Sequence, residues 1–221
     1  MLKALTTYVM TAFLLMSYSL NAKIQGKVDI GAACINVDIL ESGKTVDTLY
    51  MKGVRGEATI NVYSGWFLKP GFLLAGVHGK LEACNIGIGH FYPVTEKLLL
   101  MPSVGAGWSY LRTSINLGGK EFTEKFHSTT PYVALEFCYK LTSCWTLMGM
   151  YQYGWSKTRT TIEPILRAKS HSEGPNYALG FDYSINPNWS ITGGVGYNIT
   201  LSHEKHGLRA KGAKLGIAYF F

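Results

Sequence analysis

Charge and long apolar runs are both scarce in this sequence. Asp, Glu, Lys and Arg make up 16% of its 221 residues, whereas a typical soluble domain has about 25%. After residue 22 no apolar run approaches the roughly 18 residues of a membrane-spanning helix. No Pro-rich, repetitive or low-complexity segment divides the chain, so we expect one domain. These absences leave two classes, an unusual soluble β protein or a closed β-barrel that crosses a membrane, the one non-helical span that lipid permits.

The first 22 residues have the layout of a secretory signal peptide. Lys3 is followed by an apolar stretch through Leu20 and then by the small residue Ala22. An uncleaved anchor is the alternative, but the apolar part is only about 16 residues long and is interrupted by Thr and Ser. The sequence therefore predicts a cleaved signal peptide at residues 1–22 and a barrel domain at residues 23–221. No Cys follows the predicted cut, which argues against a lipoprotein anchor.

Strict alternation marks the second half of the chain. From Trp189, "WSITGGVGYNITLS" places apolar side chains on one face and mostly Gly, Ser, Thr and Asn on the other. "YALGFDYSI" alternates in the same way, and "NPN" between them is a tight turn in which Pro187 fixes φ. A period of two predicts strands with one apolar and one polar face. We therefore expect a long β-hairpin over residues 177–202.

The same pattern upstream predicts about ten antiparallel strands, or eight if the two short ones near Phe72 and Ile86 are misread. The predicted strands cover residues 26–37, 56–67, 72–78, 85–92, 98–114, 130–141, 145–157, 177–185, 189–202 and 208–221. Short turns, one of them at "LKPG", alternate with longer polar loops. We expect these loops at residues 38–55 and 79–84, through Lys120 and Lys125, and through Arg167 and His171. An even strand number puts both chain ends on the short-turn side, as in bacterial outer-membrane barrels.

The polar faces distinguish a membrane barrel from a soluble sandwich or lipocalin-like barrel. Strands facing water would carry many Lys, Glu and Arg, but these faces carry mostly Gly, Ser, Thr, Ala and Asn, which fit a narrow lumen. Aromatic residues lie near both ends of the apolar faces, as in interfacial girdles. Those near the short turns are Trp145, Trp189, Tyr219 and Phe221, and those toward the longer loops are Tyr110, Trp155 and Tyr197. We therefore predict an all-β, antiparallel transmembrane β-barrel.

The last strand resembles the C-terminal signal of outer-membrane β-barrel proteins. Leu215, Ile217, Tyr219 and Phe221 share one face of that strand, and the chain ends on an aromatic residue. The segments "FDYSINPNWSITGGVGY" and "IGIGHFYPVTEKLLLMPSVGAGWSY" look like the small Gram-negative outer-membrane superfamily of opacity-type porins and OmpA-like membrane domains. The resemblance implies recognition of the last strand by the barrel assembly machinery, and it covers most of residues 23–221.

Charged side chains of both signs are predicted to face the lumen. They are Lys27, Asp29, Glu136, Lys140, Asp182 and Lys214. Because unpaired charge is costly away from bulk water, we expect internal salt bridges that fill the barrel. The alternative is a narrow charged constriction that selects small solutes.

No motif predicts catalysis, a cofactor or a metal. Neighbouring Ser and His residues at 127–128, 171–172 and 202–203 are interpreted as solvated loop residues, and His78 and His90 are too scattered for a metal set with the cysteines. We therefore expect a protein that is not an enzyme, with a lipid-modifying enzyme as the third alternative. Cys34, Cys84, Cys138 and Cys144 would lie in an oxidising envelope, where either disulfides or buried free thiols are possible.

Basic residues collect in the predicted longer loops and the adjoining strand ends, and the net charge is +7. The predicted basic loop surface comprises Arg167, Lys169, Lys205, His206 and Arg209, with Lys157 and Arg159 nearby. Such clusters can bind lipopolysaccharide phosphates or acidic glycans by charge, and a generic membrane-flanking surface is the alternative. Nucleic acid is not an expected partner.

Together these features predict an integral barrel in the outer membrane of a Gram-negative bacterium, surrounded by lipid and lipopolysaccharide. The expected role is structural or surface interaction, in adhesion or in the envelope, with a largely closed lumen. A narrow porin-like channel for small solutes is the alternative.

Overall fold

The computed structural model describes residues 25–117, 120–162 and 166–221. The predicted signal peptide lies outside these residues. The described part contains eleven strands, and none of its segments is a helix long and apolar enough to cross a membrane. The strands are β1 (Gly26–Glu41), β2 (Lys44–Tyr63), β3 (Trp66–Val77), β4 (Lys80–His90), β5 (Tyr92–Pro93), β6 (Leu98–Leu117), β7 (Lys120–Lys140), β8 (Trp145–Ile162), β9 (Leu166–Ser184), β10 (Trp189–Leu201) and β11 (Gly207–Phe220).

The ten long strands close into an antiparallel barrel. Each pairs with its neighbours in sequence, β4 pairs with β6 past the two-residue β5, and β11 returns to β1. The first and last strands therefore pair, from Lys27 opposite Phe220 to Leu40 opposite Gly207. Gly26 and Phe221 exchange two backbone hydrogen bonds of 3.0 Å at the end of this seam. The prediction of ten strands is confirmed, and the alternative of eight is wrong.

Two-residue turns replace loops that the sequence pattern predicted. Ser42 and Gly43 join β1 to β2, and Ser64 and Gly65 join β2 to β3, all with positive φ between 46° and 84°. Two consecutive left-handed residues form the type I′ turn, whose twist matches that of paired strands. The expected loop at 38–55 is therefore strand, and "LKPG" lies inside β3.

The other expected loops are also largely strand. Residues 80–84 belong to β4, Lys120 and Lys125 to β7, and Arg167 and His171 to β9. We call the end of the barrel that holds Gly26 and Phe221 the terminal end, and the other the far end. Strands of up to 21 residues exceed the roughly 9–11 that a tilted strand needs to cross a bilayer, so the sheet continues beyond the membrane at the far end.

The two faces of β1 exchange character toward the far end. In the lower part of β1, Asp29, Gly31 and Ala33 face inward and Ile30 faces outward. Farther along, Val37 faces the lumen, and Asp38 projects from the outer wall into contacts with neighbouring strands. The outer wall is thus apolar where it meets lipid and polar where it meets water.

Candidate functional site: lumen and outer wall

A charged layer fills the half of the lumen nearer the terminal end. Lys27 binds Asp182 at 2.5 Å, and Lys214 forms an ion pair with Asp29. Lys69 reaches from β3 to Glu136 on β7 and also lies 3.0 Å from Glu57. The structure thus brings five of the six predicted lumen charges into ion pairs. The sixth, Lys140, lies exposed at the terminal end of β7.

Sequence reasoning missed three members of this layer. Lys69 was assigned to a turn and Arg55 to a loop, while Glu57 was not recognised as inward-facing. In the structure the Arg55 guanidinium lies 3.4 Å from Glu57, whose other oxygen contacts Lys69. Continuing the alternation of β2 through residues 38–55 would have placed both Arg55 and Glu57 on the inner face.

An apolar layer fills the lumen toward the far end. Its buried members are Val37, Leu49, Met51, Ala75 and Leu111. Phe126 on β7 and Leu208 on β11 pack against them. Met51 is only 1% exposed, so the side chains around it pack closely. The lumen is therefore filled by two layers of different chemistry.

Aromatic residues form a belt at each boundary of the lipid-facing band. At the terminal end Trp145 packs on Tyr183 with ring centroids 4.9 Å apart, and Trp189 packs on Tyr219 at 4.8 Å. Tyr153 and Trp155 pack at 5.3 Å nearer the far end. The ten residue-to-residue steps from Trp145 to Trp155, on a strand tilted by about 40°, rise about 25 Å, the height of the apolar band in such barrels.

Beyond the aromatic belt nearer the far end, one side of the outer wall is basic. Its members are His127 on β7, Lys157 and Arg159 on β8, and Arg167, Lys169 and His171 on β9, and we call this set the basic face. The register places Arg159 directly between His127 and Lys169, and Lys157 opposite His171. Arg167 and Lys169, predicted on a loop, are therefore on a strand, while Lys205 and His206 do lie in the turn after β10.

Arg209, at the start of the last predicted strand, is on β11 and is bound to Asp38. Its Nη2 lies 2.7 Å from Asp38 Oδ2 and donates to Thr45 at 2.9 Å, and Thr48 donates to Asp38 Oδ1 at 2.8 Å. The hydrogen bonds from Thr48 and Arg209 hold the pKa of Asp38 below its ordinary value of 3.8. This outward cluster joins β11, β1 and β2 beyond the lipid.

The wall separates two of the Ser/His pairs. His127 and Ser128 are consecutive on β7, and His171 and Ser172 on β9, so each His faces outward and each Ser inward. Their expected position on loops is wrong. Ser202 and His203 lie in the turn after β10. All four cysteines are free thiols, and no group of three metal-ligating side chains occurs within the described ranges.

The predicted assembly residues lie on the outer face of β11. Leu215, Ile217, Tyr219 and Phe221 are all exposed, and the Tyr219 and Phe221 rings stack with centroids 6.4 Å apart. Their exposed faces match a position in contact with lipid.

A family model for the outer membrane protein beta-barrel domain matches residues 6–221. No curated protein sequence matches the chain significantly. Among solved structures, the outer membrane protease OmpT from Escherichia coli is 13% identical, with 93% of this chain and 100% of that chain covered and a TM-score of 0.54. The translocator domain of the autotransporter NalP from Neisseria meningitidis is 9% identical, covering 99% and 96%, with a TM-score of 0.54.

A third similar structure is an outer membrane channel from Pseudomonas putida F1, with 11% identity, coverage of 92% and 97%, and a TM-score of 0.50. At these identities the likeness shows the fold alone. Since a protease, a translocator and a channel share it, the fold does not select among activities.

Proposed function

The chain belongs to the outer-membrane β-barrel family of Gram-negative bacteria, and from this premise we propose that it is a closed, non-enzymatic barrel with a structural or surface-interaction role. The observation that carries this proposal is the filling of the lumen by two layers. Ion pairs occupy the lower layer, and apolar side chains that exclude water occupy the upper one. Partners of such a barrel would contact its outer wall and its far end.

The Ser/His geometry supports the absence of an enzymatic role. A nucleophile and its base must lie within hydrogen-bonding reach, and the barrel wall separates His127 from Ser128 and His171 from Ser172. Incubation with lipopolysaccharide should therefore leave its mass unchanged. A mass change that depends on the protein would favour a lipid-modifying enzyme.

Biogenesis is part of the same proposal. Residues 1–22 direct export and are removed, and the assembly machinery recognises the outer face of β11 through Leu215, Ile217, Tyr219 and Phe221. The seam between β11 and β1 supports this role, because the barrel leaves no open edge in lipid only when these two strands pair.

Conductance in planar bilayers tests the closed lumen. We expect the wild-type barrel to be silent. Replacing Lys69, Glu57 and Glu136 by Ser, or Met51, Leu111 and Phe126 by Ser, should each leave it silent, because the other layer still closes the path. The variant with all six replacements should conduct, and heat-modifiable gel mobility checks that every variant is folded. Steady openings of the wild type would overturn the proposal in favour of a narrow channel.

A further inference from the structure

The basic face gathers six basic side chains on three neighbouring strands. Lys157, Arg159, Arg167 and Lys169 are exposed, and within the described ranges none of them forms an ion pair. Two cations elsewhere on the wall are instead neutralised by the chain itself. Arg209 binds Asp38 at 2.7 Å, and Lys80 binds Glu82 at 2.7 Å.

This arrangement of like charges costs stability. Directly opposed residues in an antiparallel pair have Cβ atoms about 4.5–5.5 Å apart, and like charges at that spacing repel. Arg159 has a cation directly opposite it in Lys169, and His127 on its other side. An external anion that bridges β8 and β9 would remove this repulsion, so the pattern points to a ligand with more than one negative group.

An apolar groove lies on the same strands, on the lipid side of the aromatic belt. It has a volume of about 410 Å³ and is lined mainly by Leu135, Phe137, Tyr151, Tyr177, Leu179 and Val195. The Phe137 ring lies across Gly149, which has no side chain to fill the space. Reading outward along β8, the outer face thus passes from groove to aromatic belt to cations.

We infer that this face binds the phosphorylated glycolipid of the outer leaflet, the lipid A part of lipopolysaccharide. Its acyl chains lie in the groove, and its phosphates lie against Arg159, Lys169 and Lys157. The inference rests on the proposed surface-interaction role and names the partner of the outer wall.

The continuity of groove and cations favours a lipid over a soluble acidic glycan. A glycan would use the cations but has no acyl chains for the groove. Glu173 faces outward opposite Trp155, at the boundary between the two regions. We expect its carboxylate to weaken phosphate binding, so Glu173→Gln should strengthen binding.

Native mass spectrometry of the detergent-solubilised full barrel, titrated with bisphosphorylated hexa-acyl lipid A, tests the inference. We expect the concentration for half-occupancy to rise at least about tenfold in the double variant Arg159→Gln/Lys169→Gln, a loss of about 1.4 kcal/mol. Lys52→Gln is the matched control, since Lys52 is an exposed cation on β2, five strands away around the barrel. It should change half-occupancy by less than about twofold.

Different ligands test the cations and the apolar groove separately. Lipid A without phosphates should bind the wild type as weakly as intact lipid A binds the double variant. A heparin hexasaccharide, which has negative groups but no acyl chains, should compete poorly. Equal binding by wild type and double variant, or by lipid A with and without phosphates, would overturn the inference. Tighter binding of heparin than of lipid A would assign the face to a soluble glycan. These binding experiments do not measure conductance. A negative binding result would therefore not contradict the proposal of a closed lumen, which has its own test.

Discussion

At the scale of single residues, Asp38 shows how a carboxylate can join neighbouring strands of the barrel outside the membrane. It accepts hydrogen bonds from Thr48 on β2 and from Arg209 on β11, so one side chain holds the β1 seam from both sides. Asp38 is 8% exposed, and water therefore screens these contacts little. Loss of its charge would leave Arg209 without its partner.

Replacing Asp38 by Asn should lower the free energy of unfolding by about 1.5–3 kcal/mol at pH 7, the range for hydrogen bonds to charged groups. Because the folded pKa is depressed, this contribution is present above the unfolded value of 3.8 and is lost as the pH falls through the lower folded value. Urea titrations in phospholipid vesicles at pH 7 and pH 3 measure the difference.

Wild type and variant must be compared at each pH. Burial and, to a smaller extent, Glu41 raise the pKa of Glu124, so that group changes the stability in the opposite direction. Glu82→Gln is the control, since its pair with Lys80 is largely exposed; it should have little effect. A pH-independent difference for Asp38→Asn would show that its charge is not the source.

At the scale of the strand, close packing explains why glycines line part of the lumen. The Tyr132 ring from β7 lies against the inner face of β6 and β4. A Cβ at Gly105 would lie 2.5 Å from Tyr132 Oη and 2.3 Å from the carbonyl oxygen of Ile86. At Gly107, on the same face of β6, the nearest atom would be 3.6 Å away.

Gly105→Ala should therefore destabilise the barrel by about 1–3 kcal/mol, as overpacking of a filled interior does. Gly107→Ala should be neutral or slightly stabilising, because Ala restricts the unfolded chain at no steric cost. Urea unfolding of both variants in vesicles gives the comparison. Equal effects at the two positions would mean that the Tyr132 contact does not constrain β6.

The parts of strands that lie within the lipid band were the ones the sequence predicted well. The hairpin of β9 and β10 has an unbroken alternation and a Pro-containing turn, so its lipid-facing part was predicted to within a residue or two. Residues 38–41 of β1 and 44–55 of β2 were missed because the faces exchange there. Where the outer wall meets water, apolar side chains such as Val37, Leu49 and Met51 face the lumen. Apolar residues therefore no longer mark the outer face of the strand.

Local signals would have recovered some of the missed structure. The dipeptides Ser42–Gly43 and Ser64–Gly65 each suit a two-residue hairpin turn, and the second excludes a turn at "LKPG" only a few residues later. The partners of the lumen charges could not have been predicted. That Lys69 meets both Glu57 and Glu136 depends on barrel closure and register, which no local pattern specifies.

At the scale of the whole molecule, the position of the aromatic belts sets how deep each outward residue lies in the bilayer. Val195 is 60% exposed on the outer face of β10, six residues from Trp189 in the terminal-end belt. Ile199 lies beyond Tyr197 and opposite Arg209. Val195 therefore lies near the middle of the lipid-facing band, and Ile199 lies at its outer boundary.

Val195→Arg should cost about 2–4 kcal/mol of folding free energy, the value for a cation near the bilayer midplane, whereas Ile199→Arg should cost no more than about 1. Asn198→Ser, on the inner face, should be mild. Reversible urea unfolding in vesicles measures all three. Equal costs for the two Arg variants would place Ile199 inside the lipid and shift the band toward the far end.

The ladder between β1 and β2 continues up to Glu41 opposite Lys44, beside a turn of two residues. A protease binds its substrate as an extended segment whose backbone groups are free, and exposed loops usually supply such segments. Here those groups are already bonded to a neighbouring strand, and cleavage requires that the ladder first open. The end of the β1–β2 hairpin should therefore resist proteases that are added to intact cells. This resistance follows from strand register and does not depend on which side chains the hairpin carries.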